Sequence, residues 1–418
     1  MEKNFIKLSF RKIKSLYKKA ITKLGHRNNV ASVSVHRTTP EMAPVSRVLT
    51  KGVVAAIAAG IAIYTLLRCL ITDPRVTQLD LIQIVLSIMA GIGAVFLGVY
   101  AYRRQHIQEV ASVREDDIQF LSRYNAATEQ LAHSKPAARL AGVYAMARLA
   151  DDWPTQRQQC VDVLCAYLRM PPSGEQEDEE VRSTIIRVII DHLREVPETV
   201  SWTELDFNFD RAELRELDMR DVTFRGQRVS FEGTKFISTT KFDGAKFHAT
   251  TTSFKEANFT GAYTTFKKAS FSGNRTIFAF TRFGADRLEF DRAIFQSDIT
   301  QFYTTHFEGD YTSFNGCLFQ GFNVTFRHAS FSSNGLAERN RASTQFENSL
   351  FNCRELDFDY TTFNGATSFE RAIFDGCEAT FDHIVVPDSV TIRGLWKPKL
   401  MNNAKVLQNG LRYYGKIQ

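Results

Sequence analysis

From Thr252 the chain reads TSFKEANFTGAY (residues 252–263), TTFKKASFSGNR (264–275), TIFAFTRFGADR (276–287), LEFDRAIFQSDI (288–299), TQFYTTHFEGDY (300–311) and TSFNGCLFQGFN (312–323), one twelve-residue block after another. Phenylalanine falls at Phe254, Phe259, Phe266, Phe271, Phe278, Phe283, Phe290, Phe295, Phe302, Phe307, Phe314, Phe319, Phe326 and Phe331, in steps that alternate five and seven. Both steps are odd. In one flat strand, residues an odd number apart point to opposite faces. To bury every ring on one side, the chain must therefore turn between successive Phe, always in one direction. The result is a solenoid with its axis filled by phenylalanine. A helix fails, because these steps leave successive rings about 140° and 20° out of line. A meander of hairpins would need Asn-Gly-type reversals that are mostly absent.

A small residue stands two before the ring at Ala257, Ala269, Ala293 and Cys317. With the five-residue step, this pattern resembles the pentapeptide repeat, A(D/N)(L/F)xx, in a Phe-rich variant. The resemblance runs from about Leu205 to Phe381. Its opening, Ala212 and Leu214 with Leu217 and Met219, is similar to the uninterrupted form. It implies a right-handed quadrilateral β-helix with the aromatic and the small residue pointing inward. Two blocks would make one turn rising roughly 4.8 Å, giving about seven turns. The step from Phe331 to Phe346 is fifteen, so eight residues are inserted there. That excursion carries Glu338, Arg339 and Arg341, and a loop on a rigid scaffold is a candidate contact site.

Outside the repeat, two apolar runs stand out, Val53 to Ile71 and Leu81 to Tyr102. Each is near the roughly 20 residues that a helix needs to cross a bilayer. Their short link contains Pro74, which predicts an antiparallel two-helix transmembrane hairpin. Arg47 and Lys51 precede the first run, Arg103 and Arg104 follow the second, and the link has only Arg75 against Asp73 and Asp80. The positive-inside rule then places both termini and the repeat in the cytoplasm, under an inner membrane. Arg68 can snorkel to the headgroups. Ala56 with Gly60, and Ala90 with Ala94 and Gly98, form small-residue faces that would pack the hairpin on itself; homo-oligomerisation is their second use.

The 418 residues carry a formal charge of +6, and it is uneven. Twelve Lys or Arg against Glu2 and Glu41 make the first 51 residues strongly basic. Ile6, Phe10, Ile13, Tyr17, Ile21 and Leu24 recur at helical spacing there, which predicts an amphipathic helix on anionic lipid. Between hairpin and repeat, the chain predicts a helical stalk and subdomain. Ser134 is the expected N-cap of one helix, with Pro136 in its first turn, and an acidic run opens another over Val181 to Val196. Two stretches, RLAGVYAMARLADD and VDVLCAYLR, are similar to a segment beside such repeats in membrane-anchored actinobacterial proteins. The organisation expected is residues 1–50 amphipathic helix and linker, 51–104 hairpin, 105–200 helical subdomain, 201–390 β-helix and 391–418 a cap with a helix over Leu400 to Leu411.

Chemistry is sparse. The nine His show no metal spacing, and no phosphate-binding or nucleophile-elbow motif occurs. Cys160 and Cys165 lie too far around a helix to share a metal, and the six scattered Cys suggest buried free thiols. No catalytic residue, metal or cofactor is therefore expected. The leading function is a membrane-anchored scaffold whose rod binds an unidentified cytoplasmic protein. A sensor-gated membrane effector with oligomerising hairpins is the alternative. Nucleic-acid mimicry is weaker: residues 201–390 hold 26 acidic and 20 basic residues, a modest negative excess. Lys267 and Lys268 lie outside the inward register, so replacing either with Ala should change stability within about half a kcal/mol.

Overall fold

The computed structural model describes residues 45–70, 78–196, 199–332, 343–387, 392–394, 399–401, 405–407 and 412–413. The expected amphipathic helix, residues 71–77 at the link between the apolar runs, and Glu338, Arg339 and Arg341 lie outside these residues. Two compact units divide at Ser112 and Val113.

In the first unit, α1 (Val45–Leu70) and the beginning of α2 (Gln78–Leu131) carry the apolar runs. One segment, Leu79–His106, is long and apolar enough to cross a membrane; the apolar part of α1, Val54–Leu70, is shorter. Ile57, Gly60, Ile61 and Tyr64 share a groove with Ile82, Val85 and Leu86, so the helices face each other there. Gly60 belongs to this groove, but the contact there is loose. Nothing lies within 4 Å of where a Cβ would stand on Gly60 or Gly98. Arg68 donates to the Tyr64 hydroxyl one turn back, at 3.3 Å.

The second unit begins with a helical subdomain. α2 ends at Leu131, and α3 (Pro136–Asp152), α4 (Arg157–Arg169) and α5 (Gln176–Leu193) follow. The cap of α3 is Lys135 rather than Ser134 and makes no side-chain bond, because Pro136 already sets the first turn. Trp153 ends that helix. α5 starts five residues earlier than expected and takes Glu177, Asp178 and Glu179 into its first turn, where the backbone dipole favours them. Val143, Met146, Leu164, Val181, Ile185 and Ile189 are fully buried between these helices.

The rest is a parallel β-solenoid of about seven turns with a periodic phenylalanine ladder. Its short strands form two parallel sheets. Ser270 pairs with Ile294 and Ile294 with Leu318, a spacing of two twelve-residue blocks. All fourteen phenylalanines of the five-and-seven series are buried, together with Ala257, Ala269, Ala293 and Cys317. The axis holds four columns of rings, one for each Phe in a turn. Phe254, Phe278, Phe302 and Phe326 stack at 4.9, 4.9 and 4.7 Å with planes within 3°. Neighbouring columns meet edge to face, as Phe254 and Phe266 do at 5.7 Å and 90°, an arrangement that suits the ring quadrupoles. Glycine is needed where turns crowd. A Cβ on Gly273 would stand 2.1 Å from the Ala249 carbonyl oxygen of the preceding turn.

The small inward residue has a second use where it carries a hydroxyl. Thr281 and Thr305 donate to the carbonyls of Phe254 and Phe278, each at 2.7 Å, and Ser349 donates to Phe314 at 2.6 Å. These bonds join one turn to the turn before. The eight-residue insertion leaves the stack intact: Phe319 pairs with Phe351, and Phe314 stacks on Phe346 at 4.8 Å. The register holds across it, because a slip would turn the rings outward.

The far end corrects one expectation. In place of a capping helix over Leu400 to Leu411, Lys399–Met401, Lys405–Leu407 and Arg412–Tyr413 are strands that pair with the preceding turn. A further turn satisfies their backbone groups on the sheet edge, which a lone helix would leave exposed.

Candidate functional site

At the first end of the solenoid, the helical subdomain covers the opening turn through polar contacts. The Trp202 indole N–H donates to Asp151 Oδ1 at 3.0 Å, and the ring stacks on His192 at 4.0 Å. The Gln158 side chain exchanges two 2.9 Å hydrogen bonds with the Asp206 backbone. Arg169 donates to the Asn208 carbonyl at 2.8 Å, and Glu195 pairs with Arg225. A groove of about 350 Å³ runs between α5 and Glu213–Asp218, lined by Ile186, Arg187, Ile190, Arg215 and Leu217 among others.

Inside the subdomain, Asp178 is the centre of a buried network. Its carboxylate accepts from Arg139 at 2.9 Å, Arg182 at 3.0 Å and the Tyr167 hydroxyl at 2.9 Å. Burial works to raise its pKa, but Arg182, the Ser173 N–H and Tyr167 together hold it below the usual carboxylate value. The acidic run at the start of α5 therefore hides one structural carboxylate.

A similar carboxylate sits on the rod. Glu289 is buried, and Lys267 and Arg287 each reach it at 2.6 Å, with the Tyr263 hydroxyl donating as well. Lys267 is thus tied to an inner partner, contrary to its expected indifference. Lys268, its neighbour, is exposed on a corner. The difference arises because Lys267 and Glu289 come from successive turns.

The third feature lies wholly outside. On one corner of the rod, Phe280, Tyr303, His328, Tyr360 and His383 form a column, with successive ring centroids 5.6, 5.8, 4.9 and 4.8 Å apart. Phe280 is 46% and Tyr360 40% exposed. Four of these residues have φ near +59°, the left-handed region that costs a bulky side chain about 1–2 kcal/mol. Arg327 lays its guanidinium 5.0 Å from the Tyr360 ring centre and reaches Asp359 at 3.2 Å. The opposite corner holds the same backbone conformation with Gly244, Lys268, Arg292, Gly316, Asn348 and Arg371, none aromatic. Sequence reading missed the column because its members lie one turn apart, with irregular intervals at the insertion.

Among the described residues no cluster of His, Cys, Asp and Glu could hold a metal. Burial disfavours the reactive thiolate in the solenoid, pushing Cys353 up to about 12 and Cys377 up to about 11. No family model, no curated protein and no solved structure matches the chain.

Proposed function

We propose that this chain is a membrane-anchored pentapeptide repeat protein of the Phe-rich type, serving as a non-catalytic interaction scaffold. One observation carries the membrane part of the reading. Leu86, Val95, Phe96, Leu97 and Tyr100 of α2 are all more than 60% exposed. So continuous an apolar surface is unstable in water, and lipid is the solvent it fits. In this reading α1 supplies the other span of the hairpin, and the basic flanks keep both ends in the cytoplasm. The basic N-terminal segment rests on anionic headgroups.

The scaffold part rests on the rod. Its axis is filled by stacked rings, its buried carboxylate Glu289 is paired within the rod, and its faces repeat from turn to turn. Such a surface suits holding a protein partner rather than closing around a substrate. Reporter fusions at residues 48 and 110 should both read cytoplasmic, and an exported signal at either overturns the orientation. The effector alternative is tested by expressing residues 1–200 alone. Depolarisation of the host membrane, abolished by Gly98→Leu, would replace the scaffold with a pore former. An unchanged membrane potential supports the scaffold.

A further inference from the structure

Two inward cysteines meet near the far end of the rod. Phe351 pairs with Phe374 and Glu355 with Glu378, so Cys353 lies level with Gly376 and one residue from Cys377 on the next turn. Adjacent strands are about 4.8 Å apart and residues rise about 3.3 Å along each, which puts the two α carbons roughly 6 Å from one another. That is inside the roughly 4.4–6.8 Å that a disulfide spans. Cys353 is buried between the exposed Asn352 and Arg354, and Cys377 is buried between the exposed Gly376 and Glu378, so both side chains face inward. Their ionisations are linked as well: after burial, Cys377 is the next influence that raises Cys353. Cys317 is placed differently. Its thiol donates to the Phe290 carbonyl at 3.0 Å, and its neighbour on the next turn is Ser349.

We propose that Cys353 and Cys377 are a redox-sensitive dithiol site, which hydrogen peroxide closes to a disulfide that locks two turns of the rod together. One thiolate attacks a peroxide oxygen, the O–O bond breaks, and the departing hydroxide takes up the proton as water, leaving a sulfenic acid. The second thiol attacks that sulfur. The S–S bond forms, the S–O bond breaks, and a second water leaves with the remaining proton. Two thiols are oxidised and one peroxide is reduced. Gly376 is exposed, has no side chain and lies level with Cys353, which gives a small oxidant a path that a bulky reagent lacks. Burial keeps both groups as thiols at rest, which suits a bridge closed under oxidative load rather than a catalytic thiol. The site does not depend on the scaffold reading, since no partner takes part.

The test exposes the reduced full chain, in lipid nanodiscs, to hydrogen peroxide. The protein is then unfolded, labelled with maleimide and mapped by peptide mass. Label should be lost at Cys353 and Cys377 and kept at Cys317, with one pair of peptides joined through the first two and lighter by two hydrogens. Dithiothreitol should restore both labels. The bridge should slow amide exchange over Glu378–Thr380 by about tenfold or more, because it ties that strand to the turn before. Cys353→Ala should abolish both the joined peptides and the slowing. Gly321 holds the level position one turn earlier, so a side chain as small as alanine suits the corner. Cys377→Ala serves if that variant fails to fold. The proposal is overturned if peroxide leaves both thiols reduced, if it oxidises them singly to sulfinic acid without joining them, or if it joins either to Cys317. Unchanged exchange with the bridge formed overturns it equally, because the two turns would then not be locked.

Discussion

The rod and the N-terminal helices use the same apolar residue types in opposite ways. Phe271 and Phe295 have no exposed surface, whereas Phe96 of α2 is 72% exposed. In the rod a ring gains by leaving water for other rings. On α2 the described residues leave most of the side chain uncovered, and lipid is the solvent proposed for it. Burial within the protein is the observable that separates a core from a membrane-facing surface, and composition alone does not distinguish them.

The largest expected effects test that contrast directly. Phe271→Ala and Phe295→Ala should each destabilise the rod by about 3–5 kcal/mol, the cost of a large cavity in a core that cannot collapse. Phe96→Ala should leave the melting of the rod unchanged. Equal losses in a denaturant melt would break the comparison. Next comes the buried network of the helical subdomain, where Asp178→Ala should cost about 3 kcal/mol by stranding Arg139 and Arg182. Because the folded carboxylate titrates below its ordinary value, its contribution is complete above that value and is lost as pH falls through the depressed one. Acid titration below about pH 4 should therefore loosen the helices, followed by amide exchange, while the phenylalanine columns persist.

Smaller effects separate two adjacent lysines. Lys267→Ala should cost about 1 kcal/mol, discounted for the exposure of the lysine itself, because Glu289 keeps Arg287 and Tyr263. Lys268→Ala should stay within about half a kcal/mol in the same melt. If the pair cannot be told apart, the contact between turns is wrong. The least visible outcome concerns thiols. A charged maleimide at pH 8 should leave Cys317, Cys353 and Cys377 unmodified in the native protein and label them all after unfolding, as counted by mass.

Much of the fold was legible because the repeat states it many times over. A five-and-seven step admits one way to bury every ring, so the solenoid and its inward residues follow from periodicity. The far cap was not legible. Leu400, Met401, Val406 and Leu407 suit a short helix as well as a strand, and the open edge of the previous turn decided for strand. Local preference for Ser134 as a cap likewise gave way to the turn that Pro136 had set. The candidate site was hardest to read. The aromatic corner joins residues 23 to 32 positions apart, and no local pattern marks them.

By itself, then, the sequence determined where rings go inward, where apolar helices lie and where the chain turns, because these depend on spacing within one turn or one helix. The tertiary structure alone decided that Asp178 is the buried member of an acidic run, that Lys267 and not Lys268 holds Glu289, and that five outer rings meet on one corner. The physical reason is closure of the coil. The distance in sequence between stacked residues runs from 22 at Glu213 and Lys235 to 32 at Leu318 and Leu350. Corners absorb that variation, so which side chains meet across turns is fixed only when every turn has closed on the one before.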